Sequence, residues 1–222
     1  MNKKVLSVIL AAVLTASYAH AQFTFGVRAG FNLTNISQEY DGKKPDSDEK
    51  YKFKPGFQIG VVGELAISDA FAIQPGILFS TQGAQQKFDG KEDGESWESK
   101  LSVNLNYIQV PINAQYKLDL GGANLLLQAG PYLGYAISGK IKWKSTFDGQ
   151  TEEDDEKIEF GSSEDDDAKP LDFGIGLGAG LQFSNIQVGL GYNLGLMNLS
   201  NEPKGVMKNN GLALTLTYLF GK

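Results

Sequence analysis

The chain has 222 residues, of which 41% are hydrophobic and 21% charged, and its formal net charge is -6. This length allows one domain or two small ones. The acidic balance argues against a nucleic-acid partner, because binding to phosphates needs a basic surface. There is no cysteine, which excludes disulfides, thiolate nucleophiles and cysteine-based metal sites.

The start of the chain has the pattern of a signal peptide over residues 1–21. A short basic start precedes an apolar run, residues 5–16, that is too short to span a membrane. Ala19 and Ala21 then supply the small residues that signal peptidase reads. We predict an exported mature domain over residues 22–222, without histidine or cysteine. It has no later run of about 18 apolar residues, so a helical membrane protein is excluded.

The mature sequence alternates between apolar and small or polar residues with a period of two. Between Leu171 and Phe183 the odd positions are all apolar, whereas most even positions are glycine. Such a period places the two sets on opposite faces of a strand. In the fourth strand the phase slips near Tyr107 and Ile108, which indicates a β-bulge. The pattern predicts eight strands, at residues 23–33, 53–66, 71–83, 101–118, 124–138, 169–183, 186–198 and 209–220.

The predicted connections alternate between short and long. Three are tight turns, at residues 67–70, 119–123 and 184–185. The other four are long and polar, at residues 34–52, 84–100, 139–168 and 199–208. This alternation is typical of outer-membrane barrels, which have short periplasmic turns and long external loops. We therefore expect both mature termini to be periplasmic.

An eight-stranded meander could instead be a soluble barrel with its apolar face inward. The strands carry roughly forty bulky apolar groups, too many for an interior that side chains from eight strands just fill. The face rich in glycine and glutamine fits that interior. The apolar face therefore points outward into lipid, where closure of the ring pairs every backbone polar group. The predicted fold class is all-β, a single eight-stranded antiparallel up-and-down transmembrane β-barrel.

Several stretches resemble the PorT-like outer-membrane β-barrel family, and the resemblance spans essentially the whole mature chain. It implies a small eight-stranded outer-membrane protein, and one member of that family serves protein secretion. The motifs are structural and name no reaction. They include Gly26-Val27-Arg28-Ala29-Gly30-Phe31-Asn32-Leu33, Gly56-Phe57-Gln58-Ile59-Gly60-Val61, Leu65-Ala66-Ile67-Ser68-Asp69, Ile73-Gln74-Pro75-Gly76-Ile77-Leu78-Phe79-Ser80 and Tyr107-Ile108-Gln109-Val110-Pro111-Ile112.

The residues favour a function without catalysis. Hydrolysis by a Ser-His-Asp set needs an imidazole, and the mature chain has none. We expect no cofactor and a monomer with a structural or interaction role through its external loops. Its partners would be outer-membrane lipid, lipopolysaccharide and envelope or secretion proteins. A component of outer-membrane secretion or transport is the alternative, and a small passive pore is a third.

Arg28, Glu64 and Asp172 are charged residues at inward-facing positions of the predicted strands. They could line a polar, ion-conducting lumen. They could instead belong to a hydrogen-bonded plug in which Arg28 pairs with a carboxylate, because buried charges need partners. Eight strands leave little room for water, so we favour the plug.

The loop predicted at residues 139–168 carries two acidic runs. Oxygen-rich clusters suit Ca²⁺ or Mg²⁺, but no EF-hand spacing is present, and acidic runs are usually just solvated. We therefore expect no metal and keep these acids as a weak candidate site. We also expect residues 140–144 to continue the fifth strand above the membrane. The candidate acids are Asp154, Asp155, Asp165, Asp166 and Asp167.

Overall fold

The computed structural model describes residues 23–45, 51–92, 95–163 and 165–221. The predicted signal peptide lies outside these residues. Within them, no helix has the length and apolar character that crossing a bilayer requires.

Eight of the nine described strands close into a ring in the order β1-β2-β3-β4-β5-β7-β8-β9, and each neighbouring pair is antiparallel. The fold class predicted from the sequence is confirmed. β6 lies outside the ring and pairs with the last part of β5. The strands are β1 (Phe23–Tyr40), β2 (Lys52–Ala66), β3 (Phe71–Glu92), β4 (Glu95–Asp119), β5 (Asn124–Phe147), β6 (Gln150–Lys157), β7 (Leu171–Phe183), β8 (Ile186–Gly195) and β9 (Gly205–Leu219).

Apolar side chains cover the outside of the ring, and small or polar ones fill the inside. In β7, Phe173 and Leu177 at odd-numbered positions are 43% and 59% exposed. Asp172 and Gln182, at even-numbered positions of the same strand, are buried. The same alternation holds along β8 and β9. The prediction that the apolar face points outward is therefore confirmed.

One end of the barrel carries the three tight turns, and we call it the short-turn end. Ile67 N donates to Phe71 O at 2.8 Å, and Leu120 N donates to Ala123 O at 2.9 Å. Outward-facing aromatic pairs surround this end, with ring centroids 4.7 to 5.3 Å apart. Such an aromatic girdle is typical of the level where a barrel leaves the bilayer. The pairs are Phe23–Phe25, Phe71–Tyr116 and Tyr218–Phe220.

At the opposite end, which we call the extended end, much of what the sequence predicts as loop is β-structure. β1 runs on to Tyr40, β3 and β4 form a hairpin that reaches Glu92 and Glu95, and β9 already begins at Gly205. β5 continues to Phe147 and turns into β6, so the predicted extension through residues 140–144 is confirmed. The strands extend into the predicted loops because backbone ladders and cross-strand charge pairs form in polar segments too.

The bulge predicted in the fourth strand lies in its neighbour instead. Asn106 pairs with Ser138 and Tyr107 pairs with Ala136, which leaves Ile137 of β5 as the extra residue. β4 alternates without interruption through this level. The phase slip in its sequence therefore has another cause: the apolar residues of β4 lie on the inward face before this level and on the outward face after it.

Toward the extended end, the inside of the barrel becomes apolar. Val103, Leu105 and Tyr107 face inward and are buried, whereas Ile108 and the apolar residues after it in β4 face outward. The polarity of the wall is thus inverted within one continuous strand. The inward-facing apolar core consists of Ile36, Ala84, Val103, Leu105, Tyr107 and Ala136.

Gly83 lies in β3 at the level of this inversion, where neighbouring backbones pack closely. Its φ is +140°, and a Cβ added there would lie 1.9 Å from the Val103 carbonyl oxygen. We expect Gly83→Ala to destabilise the folded barrel by about 1–3 kcal/mol, because the side chain is both strained and in collision. The measurement is equilibrium unfolding in urea of protein folded into lipid vesicles.

Gly191→Ala is the matched control, because a Cβ there meets only the Leu177 carbonyl oxygen, at 3.4 Å. We expect its unfolding midpoint to stay close to that of the unsubstituted protein. Equal midpoints for the two variants would contradict the strain assigned to Gly83.

Candidate functional site

Arg28 on β1 projects into the lumen and is buried. Its Nε donates to Thr217 Oγ1 at 2.9 Å, and its Nη2 donates to Gln74 Oε1. The predicted pairing of Arg28 with a carboxylate is wrong, since the described residues place none within salt-bridge distance of it. A hydroxyl and an amide oxygen accept from the guanidinium instead.

Glu64 on β2 holds the carboxylate of the same network. Lys117 Nζ donates to Glu64 Oε1 at 2.6 Å, and Gln187 Nε2 donates to Glu64 Oε2 at 2.8 Å. Gln74 Nε2 donates to Gln187 Oε1 at 3.1 Å, which connects Glu64 to the partner of Arg28. Two amides therefore join the charges of Arg28 and Glu64 across the lumen.

Asp172 on β7 belongs to a second cluster nearer the extended end. Its Oδ2 accepts from Asn209 Nδ2 at 3.0 Å and from the Tyr132 hydroxyl at 3.4 Å. Asn209 Nδ2 also lies 3.2 Å from the Tyr107 hydroxyl. Of the three charged lumen residues singled out from the sequence, the structure thus connects Arg28 with Glu64 and places Asp172 in a separate cluster.

These clusters leave little open space in the middle of the barrel. Two hollows lined by lumen residues, among them Arg28, Asn113 and Asn32, have volumes of about 50 and 10 Å³. One water molecule needs roughly 10–15 Å³, so these hollows have room for a few waters at most and form no wide channel. The side chains themselves fill the lumen.

A much larger cavity, of about 600 Å³, lies at the extended end. Tyr107 lies at its base, and Tyr51 contributes a half-buried ring from the residue just before β2. Burial raises the pKa of the Tyr51 hydroxyl, and a hydrogen bond with Gln38 opposes that shift. The apolar lining comprises Ile36, Val103, Leu105, Ile141, Ile158, Phe160, Leu199, Val206 and Met207.

The rim of this cavity is charged and reaches the surface. Lys43 and Lys44 are exposed and lie on a turn in which Lys43 and Tyr40 exchange two backbone hydrogen bonds of 2.9 Å. Lys44 Nζ lies 3.6 Å from Glu39 Oε1. The cavity therefore combines apolar walls with a polar opening, which is the usual construction of a small-molecule site.

The acids considered as a metal site are divided between two places. Asp154 and Asp155 lie in β6, where Asp155 Oδ2 accepts from Lys140 Nζ at 2.6 Å. That hydrogen bond and the lysine charge lower the pKa of the Asp155 carboxyl. The remaining acids follow in the connection to β7. In the part of the chain that the structure describes, no three potential ligands cluster closely enough for a metal ion.

In that connection the carboxylates bind backbone amides. Asp166 Oδ2 accepts from Ser163 N at 2.8 Å, and Asp167 Oδ2 accepts from Glu159 N at 2.8 Å. Asp165 is exposed. These acids therefore shape the loop beside the cavity.

The cavity is not among the features predicted from the sequence, although the sequence of β4 contains one signal for it. The apolar phase of β4 reverses between Tyr107 and Ile108, and the prediction assigned that reversal to a bulge. A strand whose inward face turns apolar must line an apolar space, so the reversal itself pointed to the cavity.

Residues 16–201 match the family model described as an outer membrane protein beta-barrel domain. A search of curated proteins finds no match to the sequence. Among solved structures, the chain is similar to Ail, the attachment invasion locus protein of Yersinia pestis, in a complex with the heparin analogue sucrose octasulfate. The identity is 17% and the TM-score 0.36, with 89% of this chain and 99% of Ail covered.

Two further structures show similarity at the same level. Neisserial surface protein A has 13% identity and a TM-score of 0.37, over 87% of this chain and 96% of its own. An outer membrane channel from Pseudomonas putida has 14% identity and a TM-score of 0.31, over 89% and 95%. At these values the similarities carry no functional information. The family match, by contrast, covers most of the chain. The protein belongs to the outer membrane protein beta-barrel domain family.

Proposed function

We propose that the protein is a non-enzymatic surface barrel of the outer membrane that closes its own lumen and binds partners or ligands at its extended end. The observation that carries the proposal is the difference between the two hollow regions. The middle of the barrel holds spaces of about 50 and 10 Å³, whereas the cavity at the extended end measures about 600 Å³.

In this proposal the extended end lies outside the cell and the short-turn end lies in the periplasm. The support is the length of the connections, since outer-membrane barrels keep their short turns on the periplasmic side. The outer face of β3–β5 beyond the apolar band carries Lys87, Lys100 and Lys142. Lysines at that height suit the phosphate groups of lipopolysaccharide as neighbours.

The PorT-like resemblance suggests a part in secretion as the alternative. Protein contacts in the periplasm would then have to form at the short-turn end. The turns there are short, and the polar side chains exposed on them are few, among them Asp69, Asp119 and Ser184. Nothing in the geometry of that end favours the alternative over an interaction role at the extended end.

The closed lumen predicts that the protein does not conduct ions. Planar-bilayer recordings of the purified barrel should show no discrete current steps, because the Arg28–Gln74–Gln187–Glu64 network occupies the lumen. Shortening Arg28, Gln74 and Gln187 together to alanine removes the centre of that network and should produce steps.

The matched control changes Ile59, Ile77 and Leu214 to alanine, which removes a similar volume from the outward face. It should remain silent. Current steps from the unsubstituted protein would refute the proposal that the lumen is closed and would favour a passive pore.

The proposed orientation predicts which end reacts on intact cells. The chain has no native cysteine, so single cysteines can be introduced at Gln150, in the β5–β6 hairpin, and at Gly122, in a short turn. A polyethylene-glycol maleimide too large for porins should label Gln150→Cys on whole cells and Gly122→Cys only after the outer membrane is broken.

Gly122 is a suitable site because a Cβ there meets no atom within 4 Å. Labelling of both variants in denaturant gives the maximum for each. The reverse pattern on whole cells would mean that the barrel is inserted with its extended end in the periplasm.

A further inference from the structure

The cavity at the extended end has the size of a small-molecule site. Its volume of about 600 Å³ falls within the roughly 300–1,000 Å³ that ligand pockets occupy. An adjoining hollow of about 330 Å³ shares Ile36, Tyr51 and Val206 with it. The layer of Tyr107, Asn209 and Asp172 separates its base from the lumen. An occupant therefore enters and leaves through the rim.

The walls favour an apolar occupant. They come from β1, β4, β9 and the connection between β6 and β7, so the hollow is enclosed on several sides. Apolar surface gains free energy when it leaves water for such walls, and flexible thioether and aliphatic groups adapt to a chain. The walls are built chiefly from Ile36, Val103, Leu105, Ile158, Phe160 and Met207.

The lysines of the extended end differ in whether their charge is already paired. Lys44 lies 3.6 Å from Glu39, and Lys204, close by, lies 3.4 Å from Asp41. Lys43, on the same turn, has no carboxylate within salt-bridge distance among the described residues. Its backbone is fixed by the hydrogen bonds with Tyr40. Lys43 is thus a cation that is anchored through its backbone at the edge of an apolar hollow.

Two acids also line the rim. Asp167 Oδ2 accepts a hydrogen bond from the Glu159 backbone amide at 2.8 Å. Glu202 forms no ion pair with the described residues. It would attract an ammonium head group, so an alkylamine is the natural comparison ligand for any test of charge preference.

We propose that this cavity binds a free amphiphile with one acyl chain and one acidic head group, of which a long-chain fatty acid is the simplest example. The acyl chain lies against the apolar walls and the head group lies at Lys43. The opening lies beyond the apolar band, so the ligand comes from the medium and not from the bilayer. This inference rests on the proposed function, because it requires the extended end to face the medium.

The direct test uses the full chain in lipid nanodiscs and a fatty acid with a diazirine near the end of its chain. After illumination, mass spectrometry should find adducts on Met207, Ile158 or Phe160, and excess unlabelled fatty acid should remove them. Adducts on lipid-facing residues such as Leu214 should persist, which provides an internal control. If no adduct in the cavity can be competed away, the proposal is wrong.

Filling the cavity should abolish binding. Ala168 lines the cavity, so we expect Ala168→Trp to lose the competed adducts. Ala123→Trp makes the same change in a turn at the far end of the barrel and should keep them. The two variants should both migrate as folded barrels on gels without boiling. A folded Ala168→Trp variant that labels like the unsubstituted protein would overturn the assignment of the site.

The head group is tested at Lys43. Lys43→Met should weaken competition by the fatty acid roughly tenfold, which is the size expected for one charge-assisted contact. Lys204→Met is the control, and we expect no change because that lysine pairs with Asp41. An alkylamine of equal chain length that competes better than the fatty acid would overturn the acidic head group.

Failure of this inference and failure of the proposed function give different results. Absence of competed adducts, together with silent bilayer recordings and labelling of Gln150→Cys on whole cells, refutes only the ligand. Current steps, or labelling at the short-turn end of intact cells, refute the proposed function itself.

Discussion

Backbone polar groups in a bilayer have no water to bind, so a strand can cross only if both of its edges are paired. In this protein β1 and β9 supply the closing pair, in register from Gly26 and Leu219 to Tyr40 and Gly205. Once that ring is closed, the side chains of each strand alternate between outside and inside, and the phase of β5 changes at the Ile137 bulge. The fold is then defined by which side chains lie on each face. At the level of the bilayer the outward face is apolar and the inward face is polar or small, and at the extended end the inward face becomes apolar.

The membrane-level part of this arrangement could be predicted from the sequence, because one apolar face against a glycine-rich one leaves a single stable assignment in a narrow barrel. The contacts of Arg28 could not, since several inward-facing amides and carboxylates compete for it and their order across the lumen depends on the shear of the ring. The Ile137 bulge of β5 could not be predicted either, because the outward positions beyond it are Ser138, Lys140 and Lys142, so no apolar alternation marks the change of phase.

The polar network explains how a narrow lumen can contain charges. Glu64 receives both an ammonium group and an amide, and Arg28 is satisfied by a hydroxyl and an amide although it has no direct counter-ion. Removing one partner from such a network would leave a buried polar group unsatisfied, which costs about 1–3 kcal/mol. The amides also fill the volume between opposite strands. In the part of the barrel that the structure describes, the large accessible space therefore lies at the extended end.

The bulge at Ile137 has a consequence for how the chain can change its length. Below it the even-numbered residues of β5 face inward, and above it the odd-numbered ones do, so Lys140, Lys142 and Lys144 lie on the outer face. A deletion of Ile137 itself would remove the bulge, with Ala136 and Ser138 still opposite Tyr107 and Asn106, and would leave these lysines on the outer face, whereas a deletion at a regularly paired position such as Tyr135 would change the facing of the residues on one side of it. A deletion or insertion in the turn at Asp148 would leave the phase of β5 unchanged. Insertions and deletions accepted during evolution should therefore occur at hairpin tips such as this one or remove the bulge residue, and be absent from the regularly paired parts of the strands.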